Sequence, residues 1–376
     1  MKFCIRCVMP DTKPDLMFDS NGVCSACSGQ EYKTAVDWNE RYGEFQMLVE
    51  WAKDEARRRG NAYDCIVPVS GGKDSHIQTY MALANDLKPL LVSFEPTVPT
   101  ELGKRNLRNC NRLLEGCDLI QFRKNPHLYR KLAKMAFQMV GDHEWPNHLG
   151  VFTVPVQIAV RYNVPLLLWG ENSQLEYGSP NNQSMKAQKL DKAWLYEFGG
   201  LLGLRPQDIV EMHQTISKEE MTPYLYPSDE DIWRVGVRGA YLGYYFSWNA
   251  KNHTEFMQTH GFEVGSAPTP GTYTNYENLD CATTVWHDYM KFVKFGFGRT
   301  TDHACIDVRL GRMTRSEAVA KVNELDGRYP RDWLGMFSDY LGFSYLEINS
   351  IVDSFVNWKL FDGKDETGNL RKRFTP

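Results

Sequence analysis

The chain reads as an α/β protein: a doubly wound parallel sheet, preceded by a small metal ribbon and followed by a largely helical C-terminal region. Three observations carry this reading. Short apolar strands alternate with helical patterns between residues 66 and 169, the rhythm of a parallel sheet whose ligand crevice lies at the carboxyl ends of its strands. Two Cys-x-x-Cys knuckles stand at the start of the chain, a spacing suited to a small metal ribbon. Two capping boxes, Thr314-x-x-Glu317 and Ser344-x-x-Glu347, open helices expected to close near Gly327 and Trp358. The divisions expected are 1–35, 36–180 and 181–376, the last completing the site.

A length of 376 residues allows two or three domains and a sizeable core. The net charge of −4 argues against a chain whose main partner is nucleic acid, because such proteins carry a basic face. The aromatic share of 13% reads as core filling. The most apolar run, Val151 to Trp169, is broken by Gln157, Arg161 and Asn163, so no membrane span is expected. Cys4, Arg6 and Cys7 interrupt the start of the chain where a signal segment would be apolar. A cytoplasmic enzyme is the expectation.

In order, the knuckles are Cys4-Ile5-Arg6-Cys7 and Cys24-Ser25-Ala26-Cys27, with sixteen residues between them. Pro10, Pro14 and Asn21-Gly22 suit a hairpin that aims four thiolates at one ion, structural Zn²⁺ or iron in a rubredoxin-like site. All four ligands come from protein, so no metal catalysis is expected there. An amphipathic helix follows from Asp37 to Arg59, stopped by Gly60, and its Arg57-Arg58-Arg59 end reads as a solvated C-terminus.

Cys65-Ile66-Val67-Pro68-Val69 is an apolar strand running into Ser70-Gly71-Gly72-Lys73-Asp74-Ser75. A glycine pair between a strand and a helix N-terminus leaves amides bare for an anion. Ser70 and Ser75 add hydroxyl donors. Asp74 beside a phosphate calls for a cation between them, and Mg²⁺ suits that place. The spacing is not that of a Walker A loop.

Strands are expected at Ile66–Val69, Leu90–Phe94, Leu119–Phe122 and Pro165–Trp169. Helices are expected at Ile77–Leu87, Glu101–Leu114, His127–Val140 and Gly150–Tyr162. The fourth strand should lie beside the first, across the switch point, which brings Trp169-Gly170-Glu171-Asn172-Ser173 to the crevice. Glu171 would then share Mg²⁺ with Asp74, orient a substrate amide, or simply cap a helix. His148 has the same choice between the crevice and a structural hydrogen bond. Asn181 to Gln188 is polar and reads as a lid or linker. Farther on, a helix from His287 ends in Lys294-Phe295-Gly296-Phe297-Gly298-Arg299. Lys294 and Arg299 are cations beside glycines, a composition for gripping a leaving pyrophosphate.

Ser-Gly-Gly-Lys-Asp-Ser resembles the PP-loop of ATP pyrophosphatases, which cleave ATP between its α and β phosphates. That resemblance implies a PP-loop, HUP-like core over 36–180, with ATP held by residues 70–75. It also implies that Ser93, Phe94 and Glu95 line the nucleoside pocket. The whole chain resembles the N-acetyl sugar amidotransferase family of bacterial surface-glycan pathways (the WbpG type). The resemblance lies in the Cys4–Cys27 start, Val69 to Ser75, Trp169-Gly170-Glu171-Asn172, and Lys294 to Arg299.

What the family implies is conversion of an acetamido group on a nucleotide-linked diacetamido sugar into an acetamidino group, in O-antigen or other surface-polysaccharide synthesis. ATP would adenylate the amide oxygen, pyrophosphate would leave, and ammonia would displace AMP, with Lys73, Lys294 and Arg299 assisting. Lys2 follows Met1 and no Gly-x-Cys-x-Gly elbow is present, so the chain shows no glutaminase nucleophile of its own. A separate glutaminase partner is therefore expected, with a second, ammonia-channelling subunit as the family implies. Two other classes stand beside this one. A PP-loop enzyme that thiolates or aminates tRNA would use reactive cysteines near the loop; Cys110 and Cys117 are the candidates, but Gly116 parts the second from its helix and both read as core. A zinc-ribbon binding protein would need no working loop at all.

Overall fold

A computed structural model describes residues 1–171, 201–212 and 215–376. Asn172, Ser173 and the polar stretch 181–188 lie outside the described residues, as does the boundary between 180 and 181.

After the cysteine ribbon come α1 (Ser25–Thr34) and α2 (Trp38–Arg58). Asp37 opens α2 by accepting from the amides of Asn39 and Glu40. Its basic end is held by intrahelical pairs, Arg57 to Asp54 and Arg58 and Arg59 to Glu55. There follow β1 (Cys65–Pro68), α3 (Lys73–Ala84), β2 (Pro89–Phe94), α4 (Glu101–Cys110), β3 (Leu119–Phe122), α5 (Pro126–Val140), α6 (Trp145–Arg161) and β4 (Leu166–Trp169). Beyond lie α7 (Pro206–Met212), α8 (Asp229–Val235), β5 (Arg238–Tyr241), α9 (Leu242–Tyr245), α10 (Ala250–Gln258), α11 (Thr284–Phe295) and α12 (Arg299–Arg309). The chain closes with α13 (Arg315–Leu325), α14 (Leu334–Leu341), α15 (Tyr345–Ser354), β6 (Phe361–Lys364) and β7 (Leu370–Lys372).

The main sheet has the order β3-β2-β1-β4-β5, and all four pairings are parallel. The first strand pairs with the fourth through Cys65 opposite Leu166 and Ile66 opposite Leu167. Alternate residues feed two helical layers, as a doubly wound sheet requires. Ile66, Val92 and Phe94 pack with α5 and α6, whereas Cys65, Val67 and Leu91 pack with α2, α3 and α4. Each large apolar side chain so enclosed contributes roughly 1.5–3 kcal/mol against exposure.

Several boundaries differ from the expected ones. Helix α3 begins at Lys73 rather than Ile77, because the loop's own hydrogen bonds start the first turn. Helix α6 begins at Trp145, with Pro146 at its first turn, where a missing amide hydrogen costs nothing. β5 was not expected: Arg238-Gly239-Ala240-Tyr241 has weak strand propensity and is defined by its pairing with Leu166 to Trp169. The β6–β7 hairpin was likewise not expected. Both capping boxes form, with Thr314 and Glu317, and Ser344 and Glu347, bonded reciprocally. No helix among the described residues is long and apolar enough to cross a membrane.

The ribbon docks on the C-terminal helices. Its cysteines, Val8 and Met9 share a buried cluster with Phe297, Ala304, Ala318 and Val322 of α12, α13 and the turn before them. Arg315 Nε donates to the Cys7 carbonyl at 3.0 Å, and Thr12 Oγ1 donates to the Phe295 carbonyl at 2.6 Å.

The loop after β1 is pressed against α4. Gly71 has φ +93°, and a Cβ there would lie 2.7 Å from the Leu107 backbone nitrogen. Replacing Gly71 with alanine is expected to cost about 1–3 kcal/mol, since strained backbone and an unyielding backbone neighbour add. A denaturant melt of Gly71→Ala matching the parent midpoint would show that the loop has room to move.

Candidate active site

The site begins where β1 ends. Ser75 Oγ accepts from the Ser70 amide at 2.9 Å, and Ser70 Oγ accepts from the Gly72 amide at 3.3 Å. These bonds fold the loop over the N-terminus of α3, whose first-turn amides have no partner within the helix. His76 closes the turn from behind: its Nδ1 lies 2.9 Å from the Gly72 carbonyl and its Nε2 lies 3.1 Å from the Asn109 amide nitrogen.

Lys73 and Asp74 face a cavity that also takes Glu171 from the end of β4, Glu277 from the loop before α11, and Arg299 and His303 from α12. Lys73 is 5% exposed and donates to Asp74 Oδ2 at 2.8 Å and to Glu277 Oε1 at 2.7 Å. Burial alone would lower the ammonium pKa, but the two carboxylates outweigh it and hold Lys73 above the ordinary lysine range. Burial likewise opposes the Asp74 carboxylate, yet Lys73 and His253 keep it below the usual range. The other oxygen, Asp74 Oδ1, is buried without a hydrogen-bond partner.

Gly170 lies at the crossing between β1 and β4. With its amide oriented to satisfy both neighbours, Gln78 donates to the Pro68 carbonyl at 3.0 Å and accepts from the Gly170 amide. A Cβ at Gly170 would collide with Gln78 and approach Trp248 at 3.2 Å. The position therefore brings Glu171 into the cavity by allowing the backbone close to α3.

Arg299 opens α12 and grips Asp288 with two parallel bonds, Nε to Oδ2 at 3.1 Å and Nη2 to Oδ1 at 2.7 Å. One helical turn on, His303 Nδ1 lies 2.6 Å from Thr272 Oγ1, and burial pushes its pKa down to about 4. Farther along the same helix Asp307 pairs with Arg312 and accepts from Tyr273.

Four expected site residues lie elsewhere. Lys294 does not reach this cavity; its ammonium lies 3.2 and 3.4 Å from the carbonyls of Val140 and Gly141, capping the end of α5. Phe94 is a core ring stacked on Phe122 and pressed against Gly150, because β2 is buried on both faces. Ser93 is fully buried in the same strand, with no partner for its hydroxyl. Glu95, one residue beyond, is partly exposed and lies 3.7 Å from Lys124 Nζ. Glu277, His303 and Asp307 were missed. They belong to no local motif, and only the packing of α12 against the loop brings them to Lys73.

Cys110 and Cys117 make poor thiolates. Burial pushes their pKa values up to about 12 and about 11, and Cys110 lies 3.2 Å from Thr79 Oγ1. Such shifts describe inert buried thiols rather than sulfur carriers.

The four N-terminal cysteines point their sulfurs at one another. Cys4 and Cys27 Sγ are 3.8 Å apart, as are Cys7 and Cys24 Sγ. A tetrahedron of Zn–S bonds of about 2.3 Å has edges of about 3.8 Å, so the donor set fits structural Zn²⁺. All nine cysteines are unbridged.

The fold and site thus define a parallel, doubly wound α/β protein with a phosphate-type loop opening into a charged cavity. Residues 270–373 match the family described as LPS biosynthesis protein WbpG-like, C-terminal domain. Glu277, Arg299 and His303 all lie within it. The structure of NMN synthetase from Francisella tularensis aligns with 62% of this chain and 99% of its own length, at 14% identity and a TM-score of 0.27. A likeness that slight bears on neither fold nor activity. Among curated proteins no relative matches the chain.

Two outcomes test the site's framework. Cys24→Ser is expected to lose bound zinc and lower the melting temperature, through the shared core with α12; a variant that keeps both its metal and its melting point would refute a structural role. His303 is held neutral by burial, with its pKa at about 4 instead of 6.5. Its contribution to stability is therefore complete above the unfolded value and is lost as pH falls from 6.5 towards 4. Melts across that window should show a shallower decline for His303→Asn than for the parent.

Proposed function

We propose that this chain is an ATP-dependent sugar amidotransferase. It adenylates the N-acetyl oxygen of a nucleotide-linked diacetamido sugar and replaces that oxygen with ammonia, giving an acetamidino group for a surface glycan such as O-antigen. The observation that carries the reading is the shared cavity. The loop at residues 70–75 supplies one wall, and Arg299, from the segment matched to the LPS biosynthesis family, supplies another.

The chemistry sets the requirements. An amide carbonyl is a weak electrophile and its oxygen a poor leaving group. Transfer of AMP to that oxygen cures both faults, breaking the α–β phosphate bond and releasing pyrophosphate. Ammonia then adds to the imidate carbon, AMP departs with the former amide oxygen, and a proton passes to solvent. None of these steps needs a side-chain nucleophile, so the chain works by positioning and electrostatics.

In this reading the α3 amides and the hydroxyls of Ser70 and Ser75 bind the phosphates. Lys73 exchanges a carboxylate partner for phosphate oxygen, and Arg299 meets the charge that develops on the leaving pyrophosphate. Asp74 Oδ1, which makes no hydrogen bond and lies 3.9 Å from His253 Nδ1, and the Glu171 carboxylate fit a hard divalent cation. Mg²⁺ held there would neutralise charge on the β and γ phosphates. Ammonia would come from a separate glutaminase, through a second subunit that channels it.

Incubation with ATP, Mg²⁺, ammonium and a UDP-linked diacetamido sugar is expected to release AMP and pyrophosphate, one of each per acetamidino product by mass spectrometry. Release of ADP and orthophosphate would overturn the reading. Asp74→Asn should lower kcat at least about 10²-fold while folding normally. Tight, salt-sensitive tRNA binding would favour the base-modifying alternative instead.

A further inference from the structure

A second group of metal-ligating side chains lies outside this cavity. Asp142 follows the left-handed Gly141 that ends α5, His148 lies in the first turn of α6, and His287 lies in the first turn of α11. Their donor atoms all fall within 4.8 Å of one another. We infer that Asp142, His148 and His287 hold a divalent first-row metal ion, in a site with open coordination positions.

The distances suit a common centre. His287 Nδ1 lies 2.9 Å from Asp142 Oδ1, and His148 Nδ1 lies 4.0 Å from Asp142 Oδ2. Ligands about 2.1 Å from one ion lie about 3 Å apart when adjacent and about 4.2 Å apart when opposite. The two imidazole rings are 5.2 Å apart and nearly perpendicular, so they approach from different directions.

The surroundings fix the ligands without closing the site. Asp142 is buried, and its Oδ1 accepts from the Glu144 amide at 3.0 Å, which sets the carboxylate's orientation as an outer-shell bond does. The side chains of His148 and His287 keep 23% and 24% of their surface exposed, which leaves an entry path. Lys294, the cation beside this group, is tied to the carbonyls of Val140 and Gly141. Three protein ligands from two imidazoles and a carboxylate leave positions for water or a ligand oxygen, unlike the closed four-cysteine site. The residue after His287 is Asp288, which holds Arg299 in the cavity. An ion here would therefore lie beside the reaction site but independent of the ATP loop.

Metal counting tests this directly. Protein stripped with a mild chelator and titrated with Zn²⁺ against a fluorescent indicator is expected to bind one ion beyond that held by the cysteines. Titrated with Co²⁺, the same equivalent should add d–d absorption without further thiolate-to-cobalt charge transfer. His148→Ala and His287→Ala should each weaken this equivalent at least tenfold and leave the cysteine-bound ion in place. Uptake of a single ion by the parent protein, a measurement that needs no variant, would overturn the inference. So would an unchanged second affinity in either folded variant.

Discussion

Lys73 is the point at which the two halves of the molecule meet. Its ammonium, almost wholly buried, takes one carboxylate from its own helix and one from the loop before α11. Removing water from an ammonium costs several kcal/mol, and such a charge persists only where close partners repay the loss. Neither Asp74 nor Glu277 alone has the geometry to do so from both sides. The loop carrying Glu277 therefore lies against Lys73, and together with α12 it walls the cavity.

The ribbon acts on the same junction from a distance. It shares a core with Phe297, Ala304 and Ala318. Ala304 lies on α12 between His303 and Asp307, which face the other way into the cavity. A metal-fixed ribbon of about 30 residues is too small to hold itself together by apolar burial alone. An ion held by its four thiolates would draw the N-terminal segment into a rigid block packed against the helix that presents Arg299. A metal held there would shape the site by packing, since all four of its ligands would come from the cysteines.

Much of this architecture was legible in the sequence because local rules decide it. The strands β1 to β4, α2, the helix ending at Gly296 and both capping boxes follow from periodicity and short-range hydrogen bonding. So do the cysteine knuckles. The glycine turn after β1 was legible for the same reason: six consecutive residues carry the turn and its internal hydrogen bonds. Where the reading failed, tertiary packing decides. β5 exists only as an edge partner to β4. Lys294 and Arg299 look alike in the sequence, five residues apart beside glycines, but the turn at Gly296 and Gly298 sends one to the end of α5 and the other to the cavity. Phe94 ends its strand as a ligand residue should, yet the absence of a side chain at Gly150 lets its ring sink into the core. Asp142, His148 and His287 come from three separate segments, and no spacing along the chain announces them.

The cavity's charge balance explains why such a loop carries an acid. Lys73 is paired with Asp74 and Glu277, Arg299 with Asp288, and Arg312 with Asp307. Each of these cations is therefore already matched before any ligand arrives, and Glu171 adds a further carboxylate to the wall. A bare polyphosphate entering this space would meet nearly as much repulsion as attraction. A polyphosphate accompanied by its own divalent cation would not, because the cation satisfies Asp74 Oδ1 while the phosphates claim Lys73 and Arg299. On the proposed function, the same carboxylates that discourage a naked anion would favour a metal–nucleotide complex.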